Sequence, residues 1–145
     1  MLQNHLQLTE HNLKNVTFTG FLSGREQEKI MNQLNYLVLP SKSENFGMVV
    51  PEALARNIPV IASKGTPWEE LNTNHAGWWI DIGAEPLAKA IKQAISLTDA
   101  ENQKMVQNGR KLVEEKYSME AVAEQMLSLY TWILEGGEKP KFVLQ

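Results

Sequence analysis

The chain has 145 residues, 43% of them hydrophobic, enough for one domain with a real core. Its 14 basic and 17 acidic residues leave a net charge of −3, and arginine occurs only as Arg25, Arg56 and Arg110, so no basic stripe invites nucleic acid. The absence of cysteine excludes a disulfide framework, a thiolate metal site and a thiol nucleophile. Apolar runs of a few residues are too short to span a bilayer, and the first residues lack the apolar core of a signal peptide; a cytoplasmic domain is the expectation.

In chain order, VTFTG at 16–20 is β-branched and aromatic and ends at glycine, which predicts a short strand. Ser23 stands three residues before Glu26, a capping-box spacing that predicts a helix to about 34. YLVL at 36–39 is a continuous apolar run closed by Pro40, as in a strand covered on both faces. A helix over about 47–56 follows, then a second buried strand at 60–62. PWEELN predicts a short helix and GWWIDI a strand over 78–82. Leu87, Ile91, Ala94 and Ile95 mark one apolar helix face. Thr98 or Asp99 caps the next helix, which carries Met105, Leu112 and Val113. A last helix over 119–134 stops at Gly136-Gly137, and 136–145 read as an irregular tail. Strands alternating with helices give an α/β domain, spanning 1–135, with a parallel sheet.

The segment PSKSENFGMVVPEALARNIPVIAS at 40–63 raises a functional question. Pro51 fits only within the first turn of a helix, so the helix starts between Gly47 and Pro51. Glu44 then lies in the preceding loop and Glu52 near the first turn. That loop follows the carboxyl end of a strand, where open parallel sheets bind ligands. Gly47 permits close backbone approach, free N–H groups attract phosphate, and carboxylates accept from neighbouring hydroxyls. A diphosphate-linked sugar would use all of these. The blander reading gives the two acids only a helix-dipole role, each worth about 0.3–1 kcal/mol.

These residues resemble the donor-binding signature of family 4 glycosyltransferases, retaining enzymes of the GT-B fold. The matching features are Pro40-Ser41, Glu44 with Phe46-Gly47 after it, Glu52-Ala53 eight positions on, and Pro59-Val60. NVTFTGFLS and the step Gly77-Trp78-Trp79 are similar to flanking family strands, and GTPWEEL with GWWI suggests a bacterial surface-polysaccharide or lipopolysaccharide subgroup. The resemblance implies a partial Rossmann-like sheet flanked by helices, the C-terminal half of a GT-B enzyme. It implies that Glu44 binds donor-sugar hydroxyls at the reacting centre, that Asn45, Phe46, Gly47 and Met48 contact sugar and diphosphate through their backbone, and that Glu52 holds the ribose. The base would meet the backbone of 20–23.

The implied donor is a UDP-, GDP- or ADP-linked hexose, the acceptor a saccharide or lipid-linked sugar, with retention and no metal. An acceptor-binding N-terminal domain would precede this sequence, as would two strands carrying the phosphate-binding Arg and Lys, so the chain alone is expected to be inactive. Lys42 and Lys64 do not match that basic motif. Without those strands, VTFTG is expected to pair with YLVL, or a second copy to cover the open edge. A full-length protein could sit peripherally at the inner membrane.

Other residues carry plainer readings. His5, His11 and His75 have no partners at metal-ligand spacing and read as surface or capping residues. Trp68, Trp78 and Trp79 read as packing more than sugar stacking. Thr66, in a loop on the ligand side, is a candidate phosphate contact. The apolar last helix, with Met126, Leu129, Tyr130, Trp132 and Ile133, is either core or a surface for an absent domain or a homodimer. The rival for the whole is a non-catalytic sugar-nucleotide-binding or regulatory module. A phosphate-binding receiver-like domain is disfavoured, because no acidic cluster with a partner lysine sits at the strand ends.

Overall fold

The computed structural model describes residues 15–143, so His5 and His11 lie outside the described residues. The chain divides between Gln33 and Leu34 into two units. The first contains α1 (Arg25–Met31). The second contains β1 (Leu37–Leu39), α2 (Val49–Ala55), β2 (Val60–Ser63), α3 (Glu70–Thr73), β3 (Gly77–Ile80), α4 (Ala84–Ile95), α5 (Asp99–Lys116) and α6 (Met119–Glu135). Residues 136–143 form no helix or strand.

In the first unit the structure corrects two expectations. VTFTG forms no strand and pairs with nothing in a sheet. β propensity alone does not make a strand; a ladder partner does. The Ser23–Glu26 capping box is also absent, because the N-cap is Gly24 at φ 54°, which moves Ser23 one residue outside the helix. Only the backbone bond from Glu26 N–H to the Ser23 carbonyl, 3.3 Å, remains, and the helix ends at Asn32.

The second unit is an α/β layer with the predicted parallel sheet, in the order β1-β2-β3. Leu37 pairs with Val60 and Leu39 with Ala62; Val60 pairs with Gly77 and Ser63 with Ile80. Every residue of the central β2 is buried, which accounts for its unbroken apolar composition. β1 is an edge strand with Val38 exposed, so only part of YLVL is covered. α4 lays Ala90 and Ala94 on Ile61, with Tyr36, Trp78, Ile80 and Leu87 packed around them. Ile91 and Ile95 fall outside that contact, Ile95 being 73% exposed, so the buried face of α4 is narrower than its apolar pattern. Strand alternation turns Val60 and Ala62 to the side opposite Ile61. α5 packs on α2, where Gly109 comes so close that a Cβ there would lie 2.8 Å from Leu54 Cδ2.

Thr98 forms the capping box that opens α5, its hydroxyl accepting from Glu101 N–H while the Glu101 carboxylate accepts from Thr98 N–H at 2.8 Å. The Thr98 N–H and the Thr98 hydroxyl both donate to Glu101 Oε2, and these two bonds hold the Glu101 carboxyl below its usual range. α6 starts on a Ser118 cap, ends at Gly136 (φ 79°) and buries no residue. Its Met126, Leu127, Tyr130, Ile133 and Leu134 are exposed and Leu129 and Trp132 half-buried, so α6 is not a buried core helix. Among the described residues no helix is long and apolar enough to cross a membrane.

Candidate functional site

Two loops meet at the carboxyl end of the sheet: 40–48, which follows β1, and 64–69, which follows β2. Two bonds tie them together, and a third reaches the first loop from Ser63 at the end of β2. Glu44 N–H donates to the Gly65 carbonyl at 2.8 Å, Ser63 Oγ donates to the Ser41 carbonyl, and Trp68 Nε1 donates to the Phe46 carbonyl at 2.6 Å. Only glycine fits at 65, since a Cβ there would lie 2.3 Å from the Ser41 carbonyl oxygen. Gly47 takes φ +77°, the left-handed region that favours glycine.

On this shelf Glu44 is exposed, and its Oε1 accepts from Ser41 Oγ at 2.8 Å. One carboxylate oxygen is thereby oriented, leaving the other open as an acceptor. Glu52 is half-buried in the first turn of α2, and its main-chain carbonyl accepts from Arg56 Nη1 at 3.0 Å. Asn45 and Met48 are exposed, Phe46 and Gly47 half-buried. Pro51 stands within the first turn of α2, as its chemistry requires. Among the described residues, no carbonyl accepts from the N–H groups of Asn45, Phe46, Gly47 or Met48, whereas Val50 N–H bonds the Gly47 carbonyl at 2.9 Å.

Thr66 sits differently. It is buried, its Oγ1 donates to the Ser63 carbonyl at 2.8 Å, and its own carbonyl accepts from Trp79 Nε1 at 3.0 Å. Its polar atoms hold the loop rather than face solvent. Lys64 pairs with Asp81 at 2.8 Å and lies 5.7 Å from the Trp79 ring centroid, beside a concavity of about 410 Å³ that neither Glu44 nor Glu52 lines. Neither acid therefore stands inside that hollow. Among the described residues no cluster of three metal-ligating side chains occurs.

Beneath the shelf is an aromatic group that local sequence patterns do not reveal. Trp68, fully buried, has its ring centroid 5.1 Å from both Phe46 and Tyr117. The Tyr117 hydroxyl donates to Glu70 Oε2, and Lys116 Nζ pairs with Glu70 Oε1. Burial pushes the Glu70 carboxyl up, but the bonds from Lys116 and Tyr117 and the lysine charge outweigh it and hold the group below its usual range. Burial, then the bond to the Glu70 carboxylate and its charge, push the Tyr117 phenol well above the ordinary range. These partners are 46 and 47 residues apart, so no short motif could signal them. The one clue is general: a buried tryptophan N–H needs an acceptor. Trp78 packs edge-on to Tyr36 at 6.1 Å, while Asn72 clamps the main chain of Trp79, whose ring borders the concavity beside Lys64.

Residues 3–112 match the family described as Glycosyl transferases group 1. The chain belongs to this family. One relative is an uncharacterised glycosyltransferase of Methanocaldococcus jannaschii, 30% identical over 122 residues, which cover 83% of this chain and 31% of the relative. Sucrose-phosphate synthase from Thermosynechococcus elongatus matches in structure with a TM-score of 0.74 at 29% identity, over 94% of this chain and 35% of that one. The C-terminal domain of a group 1 family protein (LpcC) from Francisella tularensis matches with a TM-score of 0.65 at 26% identity, over 81% of this chain and 61% of that one. The α/β fold of the second unit, a parallel sheet with flanking helices, is that of the C-terminal domain of GT-B glycosyltransferases. The chain spans less than a third of the length of the first curated relatives it matches.

Proposed function

We propose that this chain is the donor-binding part of a retaining, family 4 hexosyltransferase that uses a UDP-, GDP- or ADP-linked sugar and a saccharide or lipid-linked acceptor, in surface-polysaccharide assembly in the bacterial cytoplasm. The observation that carries the reading is the shelf itself, where a Glu44–Gly47 loop with unbonded amides leads into a helix bearing Glu52, in a group 1 glycosyltransferase fold. Glu44, steadied by Ser41, accepts from sugar hydroxyls beside the reacting carbon. The N–H groups of Asn45 to Met48 meet the sugar and diphosphate, and Glu52 accepts from the ribose. The diphosphate is the leaving group, so the chain's task is to orient the donor and stabilise charge that grows on the departing oxygen. No metal enters this scheme.

The remainder of a longer protein supplies the acceptor-binding surface and the far wall of the site, so this chain binds donor without turnover. The open edge of β1 and the apolar stripe of α6 are the surfaces on which that remainder, or a second copy, would rest. Calorimetric titration with UDP, GDP and ADP, and with their glucose and mannose conjugates, tests the reading. The expected result is saturable binding of one nucleotide family, tighter for a sugar conjugate. Binding of none would favour a degenerate, non-catalytic module.

A further inference from the structure

Trp68 takes no part in the donor contacts just described, yet its buried indole spends its single donor on the Phe46 carbonyl, 2.6 Å away. A trans peptide is planar, with its C=O and N–H pointing in opposite directions, and no cis peptide occurs among the described residues. A Phe46 carbonyl drawn inward to the indole therefore turns the Gly47 N–H outward. The indole belongs to a three-ring cluster with Phe46 and Tyr117, whose own centroids lie 5.8 Å apart, and Tyr117 is anchored through Glu70 to Lys116 at the end of α5. The start of the loop is fixed separately by the Glu44–Gly65 bond.

We propose that Trp68 is a positioning residue for the donor: by holding the Phe46 carbonyl inward it presents the Gly47 N–H to the donor diphosphate, and the Tyr117–Glu70–Lys116 group fixes the indole. This rests on the donor-binding reading above. The test is Trp68→Phe in the full chain, read by ¹⁵N relaxation and by affinity for UDP, GDP and ADP. In the parent chain the Gly47 and Met48 amides should be rigid, with order parameters near about 0.85; in Trp68→Phe they should fall below about 0.6 while α4 and α5 stay unchanged. Affinity for the nucleotide that binds should drop about tenfold, as loss of one aligned donor implies. Unchanged order at Gly47 overturns the proposal, as does loosening spread evenly through α4 and α5, or loosening without loss of affinity. If phenylalanine unsettles the core, benzothienylalanine in place of Trp68 removes the N–H and keeps the volume. A parent chain that binds no nucleotide defeats the donor reading and, with it, this role for Trp68, whereas an unaffected Gly47 in a nucleotide-binding chain defeats the Trp68 role alone.

Discussion

Glu44 and Glu52 share a loop-helix segment but differ in setting, and their removal should have different effects. Glu44 is exposed and steadied by one hydroxyl, so Glu44→Ala should leave stability within about 0.5 kcal/mol. In a full-length active relative that keeps this segment it should lower kcat by at least about tenfold with little change in nucleotide affinity; an unaltered kcat would remove its role at the sugar. Glu70 gives a pH prediction. Its folded-state pKa is depressed, so its stabilising contribution is present above the unfolded value and is lost as pH falls through the folded value. Thermal melts of Glu70→Gln should lie below the parent by about 3 °C near neutral pH, and the gap should close between about pH 5 and pH 3. Tyr117 runs the other way: its raised pKa contributes below about pH 10 and is lost in stronger alkali. A gap that persists unchanged at pH 3 would show that Glu70 does not stabilise as a carboxylate.

Among elements, close backbone approach separates glycines that look alike in the sequence. A Cβ at Gly77 would meet the Val60 carbonyl oxygen at 2.1 Å, inside the β2–β3 ladder, and neither backbone can yield. Gly77→Ala should cost about 3 kcal/mol and lower Tm by roughly 10 °C. At Gly109 the neighbour is a Leu54 side-chain methyl rather than backbone, and alanine gains about 1 kcal/mol of helix propensity, so Gly109→Ala should stay within about 1 kcal/mol of the parent. Equal melting shifts for the two would contradict this ranking. The three strands of the sheet were legible because YLVL, PVIAS and GWWI are short apolar runs bounded by Pro or Gly, and Pro51 limited the start of α2 to one turn. VTFTG was misleading because a strand depends on a partner that its own residues cannot specify. The same Ser/Thr-x-x-Glu spacing failed at Ser23 and held at Thr98, and the difference is a left-handed Gly24 that shifts the first helix by a residue. The loop-helix segment with both acids was readable from its punctuation, whereas Trp68, Tyr117, Glu70 and Lys116 meet only through tertiary contact.

At the scale of the whole molecule, the second unit carries a finished sheet-and-helix layer but leaves α6 with an exposed apolar stripe and three acidic residues, Glu120, Glu124 and Glu135. Because Leu127 and Ile133 are exposed, Leu127→Glu with Ile133→Glu should leave Tm within about 2 °C and, if a second copy covers the stripe, convert a dimer to a monomer in light scattering. A melting drop beyond about 5 °C would mean that those side chains hold the fold itself. The proposal for the molecule as a whole comes down to Glu52 gripping ribose hydroxyls beside a diphosphate. It is tested most directly by calorimetry with the nucleoside diphosphate that binds and its 2′,3′-dideoxy analogue, on the parent chain and on Glu52→Ala. The parent should prefer the ribose form by about tenfold or more, in keeping with a charge-assisted hydrogen bond, and Glu52→Ala should bind both forms equally. A parent chain that binds the two alike, or a preference that survives in Glu52→Ala, would contradict it.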